Sequence, residues 1–119
     1  MAFPGNKDFR IHVVGESFYE DNLYNLCGPA TSEMRQFLKM AVLTLEANNP
    51  KDRNAVRVEI EGAIVGHLSR EDAIWFRRIS QAPSGMQFWC EAVIVAWHGA
   101  ARCDYGVRLE IDPAGLQRL

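Results

Sequence analysis

The stretch that most constrains this chain runs from Ala55 to Glu61, where Val56, Val58 and Ile60 alternate with Arg57, Glu59 and Glu61. Successive side chains of an extended backbone point to opposite faces, so this pattern predicts a strand with one apolar face and one wet face. Gly62 turns the chain and Ile64 to Leu68 returns, which predicts a hairpin. A lone hairpin is barely stable in water, so the rest of the chain must supply further strands or a helix to cover its apolar face.

The same alternation recurs. Phe9, Ile11 and Val13 alternate with Arg10 and His12 up to Gly15, Met40 to Glu46 places Leu43 and Leu45 on one face, and Gln87 to Trp97 and Tyr105 to Ile111 read as two more strands. Ala30 to Lys39 carries only a weak signal. Asp21 to Leu26 predicts a short helix stopped by Gly28-Pro29. A second helix is expected from Arg70 to about Gln81, because Ser69 and Asp72 form a capping pair and Ala73, Phe76 and Ile79 sit at helical spacing. Pro83-Ser84-Gly85 breaks it, and the opening Ala2 to Asn6 reads as a loose lead-in.

With no internal repeat, low-complexity tract or linker, 119 residues are expected to form one domain, 1–119. The fold class expected is mainly β (α+β): a small OB-like β-barrel of about six strands with two short helices, the one after Leu68 long enough to plug an end. An SH3-like or other small barrel satisfies the pattern equally.

Thirteen Lys and Arg against fifteen Asp and Glu give a net charge of -2, which excludes a general nucleic-acid coat and requires any such binding to be local. Ten of the thirteen cations are Arg, the planar, bidentate partner of phosphates and carboxylates. Three widely spaced cysteines, Cys27, Cys90 and Cys103, do not make a disulfide framework and point to a reducing compartment. Met1 to Lys7 has no apolar signal core, and the apolar run Ala92 to Ala101 is far short of a membrane span, so a soluble, cytoplasmic protein is expected.

Catalytic motifs are missing: there is no nucleophile elbow, P-loop or HExxH. Cys90, His98 and Cys103 lack the paired spacing of a zinc site, so no metal and no cofactor is expected. Glu16, Asp52, Glu59 and Glu61 are acidic enough for a two-metal nuclease centre, yet nothing in their spacing requires one. Arg70, Arg77 and Arg78 fall on one helix, Arg70 and Arg77 two turns apart, as a candidate track for a phosphate backbone. Phe18 and Tyr19 follow a strand end, where one ring faces solvent if the other packs inward.

Three segments carry something more specific: Val13-Val14-Gly15-Glu16-Ser17-Phe18-Tyr19, Asn48-Asn49-Pro50-Lys51-Asp52-Arg53-Asn54-Ala55-Val56, and Val65-Gly66-His67-Leu68-Ser69-Arg70. In order and separation they resemble the HIRAN domain family, with the likeness extending loosely over residues 8 to 112 and through Tyr105 to Leu109. That family includes modules fused to SWI/SNF-type helicases that remodel stalled forks, and free-standing bacterial proteins, which this chain resembles.

The resemblance implies an OB-like barrel that captures the 3′ end of single-stranded DNA. By position it assigns Asp52 to the terminal 3′-hydroxyl, Asn49 beside it, Phe18 to one aromatic place against the last base, and His67 and Arg70 to the DNA backbone. Lys51 stands where the family has its other aromatic residue and Ser17 where it has an arginine. A lost stacking partner removes about 1 to 3 kcal/mol per base, part of which Lys51 recovers by reaching a phosphate.

The leading functional expectation is therefore a non-catalytic module for the 3′-hydroxyl end of single-stranded DNA in repair or fork processing. It would act through Phe18, Asn49, Lys51, Asp52, His67 and Arg70, with a helicase or repair protein in trans. The alternative is a protein-interaction module on the same barrel, with a strand edge or apolar groove that accepts a peptide. A small metal-dependent nuclease is the third reading.

Overall fold

The computed structural model describes residues 7–99 and 104–119. Ala2 to Asn6, Cys103 and the end of the apolar run at Ala100 and Ala101 lie outside the described residues.

The first strand β1 (Ile11–Val14) leads through a 3-10 turn (Glu16–Tyr19) into α1 (Glu20–Cys27). Then come β2 (Arg35–Leu45), β3 (Val56–Ile60), β4 (Ala63–Leu68) and α2 (Arg70–Ser80). The chain closes with β5 (Gln87–Ala96), β6 (Tyr105–Glu110), a second 3-10 turn (Pro113–Gly115) and β7 (Gln117–Arg118). Strand order is β2-β3-β4-β1-β6-β5, every pairing is antiparallel, and β5 returns to β2 to close a six-stranded barrel. Closure removes the unpaired edges that an open sheet of this size would expose.

The alternation read from the sequence fills the barrel. Val56, Val58 and Ile60 are fully buried, as are Leu43, Leu45, Ile94 and Leu109, while Arg57 and Glu59 lie on the outer face. Ser69 Oγ accepts the Asp72 amide at 3.1 Å and starts α2, which ends one residue short of the expected Gln81. Phe76 on α2 meets Phe88 edge to face at 5.3 Å, so this helix plugs the barrel. Gly66 marks the closest approach of β4 to β1: a Cβ there would run into Val13 Cγ1 and the Val14 carbonyl oxygen.

Two elements depart from the sequence reading. The weak segment 30–39 contributes the first half of an eleven-residue strand, β2, paired with β5 from Arg35↔Ala96 to Thr44↔Gln87. Its alternation is masked because Arg35 and Lys39 take the register positions that Ala41 and Leu43 hold further on. Arg35 lies over the Phe37 ring and donates to the Pro29 carbonyl at 2.6 Å, and Lys39 pairs with Glu61 at 2.8 Å. The second is β7, two residues laid on β5 and too short to leave a periodic signal. Among the described residues no helix is long and apolar enough to cross a membrane.

Candidate nucleic-acid interface

The loop between β2 and β3 is built by its own side chains. Asn48 takes a left-handed backbone, φ +59°, which Asn tolerates better than most residues. The Asn49 carbonyl oxygen Oδ1 accepts the amides of Lys51 at 2.9 Å and Asp52 at 3.2 Å, an Asx turn that leaves Pro50 free of any donor requirement. Asp52 then repeats the device, Oδ1 accepting the Asn54 amide at 2.9 Å while its carbonyl accepts Ala55 N–H. One Asp52 oxygen thus holds the turn, and among the described residues no donor is assigned to the other.

Arg77 fastens this loop from below. Its guanidinium donates to the carbonyls of Glu46 at 2.8 Å, Ala55 at 3.1 Å and Asn54 at 3.1 Å, and to Ser84 Oγ at 2.9 Å. The two stems of the loop are thereby tied to α2 and to the turn that follows it. The expected phosphate track along α2 is not formed, because Arg77 spends its donors on these acceptors while Arg70 and Arg78 face solvent.

His67 is half-buried and already partnered. Its Nε2 lies 2.8 Å from Glu46 Oε1, and the Glu46 carboxylate, only 18% exposed, also meets Arg57 Nη1 at 3.6 Å. Arg57 Nε is bonded to Glu59 at 2.8 Å. Glu46 is the residue of this region that the sequence reading missed, and Arg77, read there as a phosphate contact, is instead the clamp on the loop. Both look like ordinary charges at the end of a strand and on a helix face, and only their long-range partners show otherwise.

Phe18 is 85% exposed on the 3-10 turn after Gly15, whose φ of +81° turns the chain out of β1, while Tyr19 is half-buried. Glu16 turns inward, its carboxylate accepting the Val107 amide at 3.2 Å, and burial raises its pKa above the usual carboxylate range. The four acids of the nuclease reading are dispersed: Glu16 on β6, Asp52 in the loop, Glu59 on Arg57 and Glu61 on Lys39. Among the described residues no group of three His, Cys, Asp or Glu is placed to hold a metal ion.

Register gathers the remaining residues at one end of the barrel. Leu45 pairs with Val56, Arg57 with His67, and His67 with Val14, so the ends of β2, β4 and β1 and the start of β3 are level. The 46–55 loop with Asn49, Lys51 and Asp52, the turn bearing Phe18, and the α2 start bearing Arg70 all leave the barrel there. Lys51 and Arg70 are exposed, Asn49 and Asp52 half-buried.

A closed β-barrel that presents a half-buried loop carboxylate, an exposed ring and two solvent-facing cations at one end has the makings of a nucleic-acid-binding module. The HIRAN domain model matches residues 6–112, and the chain belongs to the HIRAN domain family. The HIRAN domain is a DNA-binding module, and this membership supports a nucleic-acid-binding role. Neither the curated proteins nor the solved structures contain a match.

Proposed function

We propose that the chain, as one module over 1–119, binds single-stranded DNA without catalysis and prefers a free 3′-hydroxyl end. The observation that carries this reading is the turn at Asn49 to Asp52, which commits one Asp52 oxygen to the Asn54 amide and presents the carboxylate at the barrel end that also bears Phe18. An ionised carboxylate accepts a charge-assisted bond from a sugar hydroxyl and repels a phosphate in the same place. Phe18 supplies a sequence-tolerant stacking face, and Lys51 and Arg70 reach the phosphates behind it. His67 acts through its bond to Glu46, supporting the loop's stem, and makes at most a weak backbone contact. In cells the module would work in the cytoplasm, in repair or fork processing beside a helicase or repair protein.

A fluorescence titration with oligonucleotides that differ only at the 3′ terminus tests this. The hydroxyl end is expected to bind about tenfold or more tighter than the 3′-phosphate, since a charged hydrogen bond is worth about 1.5 to 3 kcal/mol. Equal affinity for both ends, or for a closed circular strand, rejects end capture.

A further inference from the structure

Along β5 the chain keeps a second feature that end capture does not use. On one side β2 covers β5 throughout, but on the other β6 begins to pair only at Glu91. The remaining edge, Gln87 to Trp89, is taken by the chain's own tail: Phe88 pairs with Arg118, Trp89 with Gln117, and the Leu119 amide donates to the Gln87 carbonyl at 3.1 Å. Arg118 lies over the Phe88 ring at 5.6 Å, and Leu116, two residues earlier and on the same face, is half-buried against the core.

Between this tail and the barrel lies a cavity of about 610 Å³, lined by Leu43, Phe76, Phe88 and Cys90 and, from the tail itself, by Leu116 and Gln117. That volume falls in the range of small-ligand and side-chain pockets, and one leucine does not fill it. Its lining charges comprise Asp8, Glu91, Glu110 and Asp112 against Lys7 and Arg10, a surplus of two carboxylates that favours a basic occupant.

We propose that this edge and its cavity form a binding site for an extended peptide segment of a partner protein, one bearing a large apolar side chain and, two residues on, an arginine. Residues 116–119 are its resident, displaceable occupant and show how the partner sits: backbone on the β5 edge, apolar side chain in the cavity, guanidinium over Phe88. A ladder of two residues is weak compared with the full pairing of β5 on β2, so exchange costs little and leaves the barrel closed. The site is independent of the DNA reading and stands or falls without it.

The test uses the chain of residues 1–119 and a fluorescent peptide of residues 112–119, alongside the same peptide with Leu116→Phe. The wild type competes with its own tail, so its apparent affinity is reduced by the small fraction of open sites. An Arg118→Glu variant, altered at an exposed residue, and a Leu116→Asp variant both loosen the tail. Each is expected to bind the peptide at least about tenfold tighter than wild type does, as a site occupied nine times in ten requires. The phenylalanine peptide is expected to bind tighter than the leucine one, with amide shifts at Gln87 and Trp89. If Leu116→Asp fails to fold, Arg118→Glu alone decides. Equal affinity in wild type and variant, or amide shifts away from β5, overturns the proposal. A concentration-dependent dimer that the peptide dissolves overturns it too, in favour of tail exchange between copies.

Discussion

Asp52 has two carboxylate oxygens, and the loop uses one. Asp52→Ala is therefore expected to weaken binding of hydroxyl-ended DNA by about tenfold or more and to shrink the preference over a 3′-phosphate at the same time, both read by titration. Arg77→Ala removes four donated bonds and leaves the carbonyls of Glu46 and Asn54 short of a partner, while the Ala55 carbonyl keeps the Glu46 amide. It should cost about 2 to 3 kcal/mol in urea denaturation and speed amide exchange at Lys51 and Asp52. Glu16 gives a pH signature. Burial raises its folded pKa, so its contribution to stability is complete at acid pH, below the unfolded value, and is lost as pH rises through the folded one. Glu16→Gln, which keeps an acceptor for the Val107 amide, should be more stable than wild type near neutrality. That gap should close as denaturation is repeated at lower pH through the carboxylate range.

Elements differ in how much of themselves they write into local sequence. The β3–β4 hairpin was legible because Val56, Val58 and Ile60 are all inward and Arg57 and Glu59 all outward, and α2 because Ser69 caps it and Ala73 and Phe76 bury at helical spacing. The first half of β2 was not legible, since Arg35 and Lys39 sit in line with its inward residues, Arg35 partnered by nearby Phe37 and Pro29 and Lys39 by Glu61, 22 positions away. Nor was β7, which exists only because β6 leaves the end of β5 uncovered. Val58→Ala deletes methyl groups from a residue with no exposed surface, and an expected loss of about 1 to 3 kcal/mol is checked by chemical denaturation.

At the scale of the whole molecule, electrostatics limit how DNA is held. Net charge is -2, Arg57 and Arg77 are engaged internally, and His67 is bonded to Glu46, which leaves Lys51 and Arg70 as the nominated phosphate contacts. With about two neutralised phosphates, the log-log salt dependence of binding to a single strand should have a slope of about -1.4. A slope steeper than about -4 in a salt titration would mean an extended basic track elsewhere on the surface.

The sequence by itself determined the strands with clean alternation, the capped helix and the family. Each of these rests on side chains a few residues apart, where covalent neighbours and backbone geometry settle the outcome. Only the tertiary structure decided that Glu46 holds His67, 21 positions away, and that Arg77 ties Glu46 to Ala55 from 31 and 22 positions off. It also turned Phe18 outward, left Tyr19 half-buried, and left a cavity between the tail and the barrel. Those outcomes depend on strand register and barrel closure, which bring distant segments to one level. A buried or half-buried charge must then take whichever partner that closure delivers, because leaving it unpaired away from water costs more than any local preference.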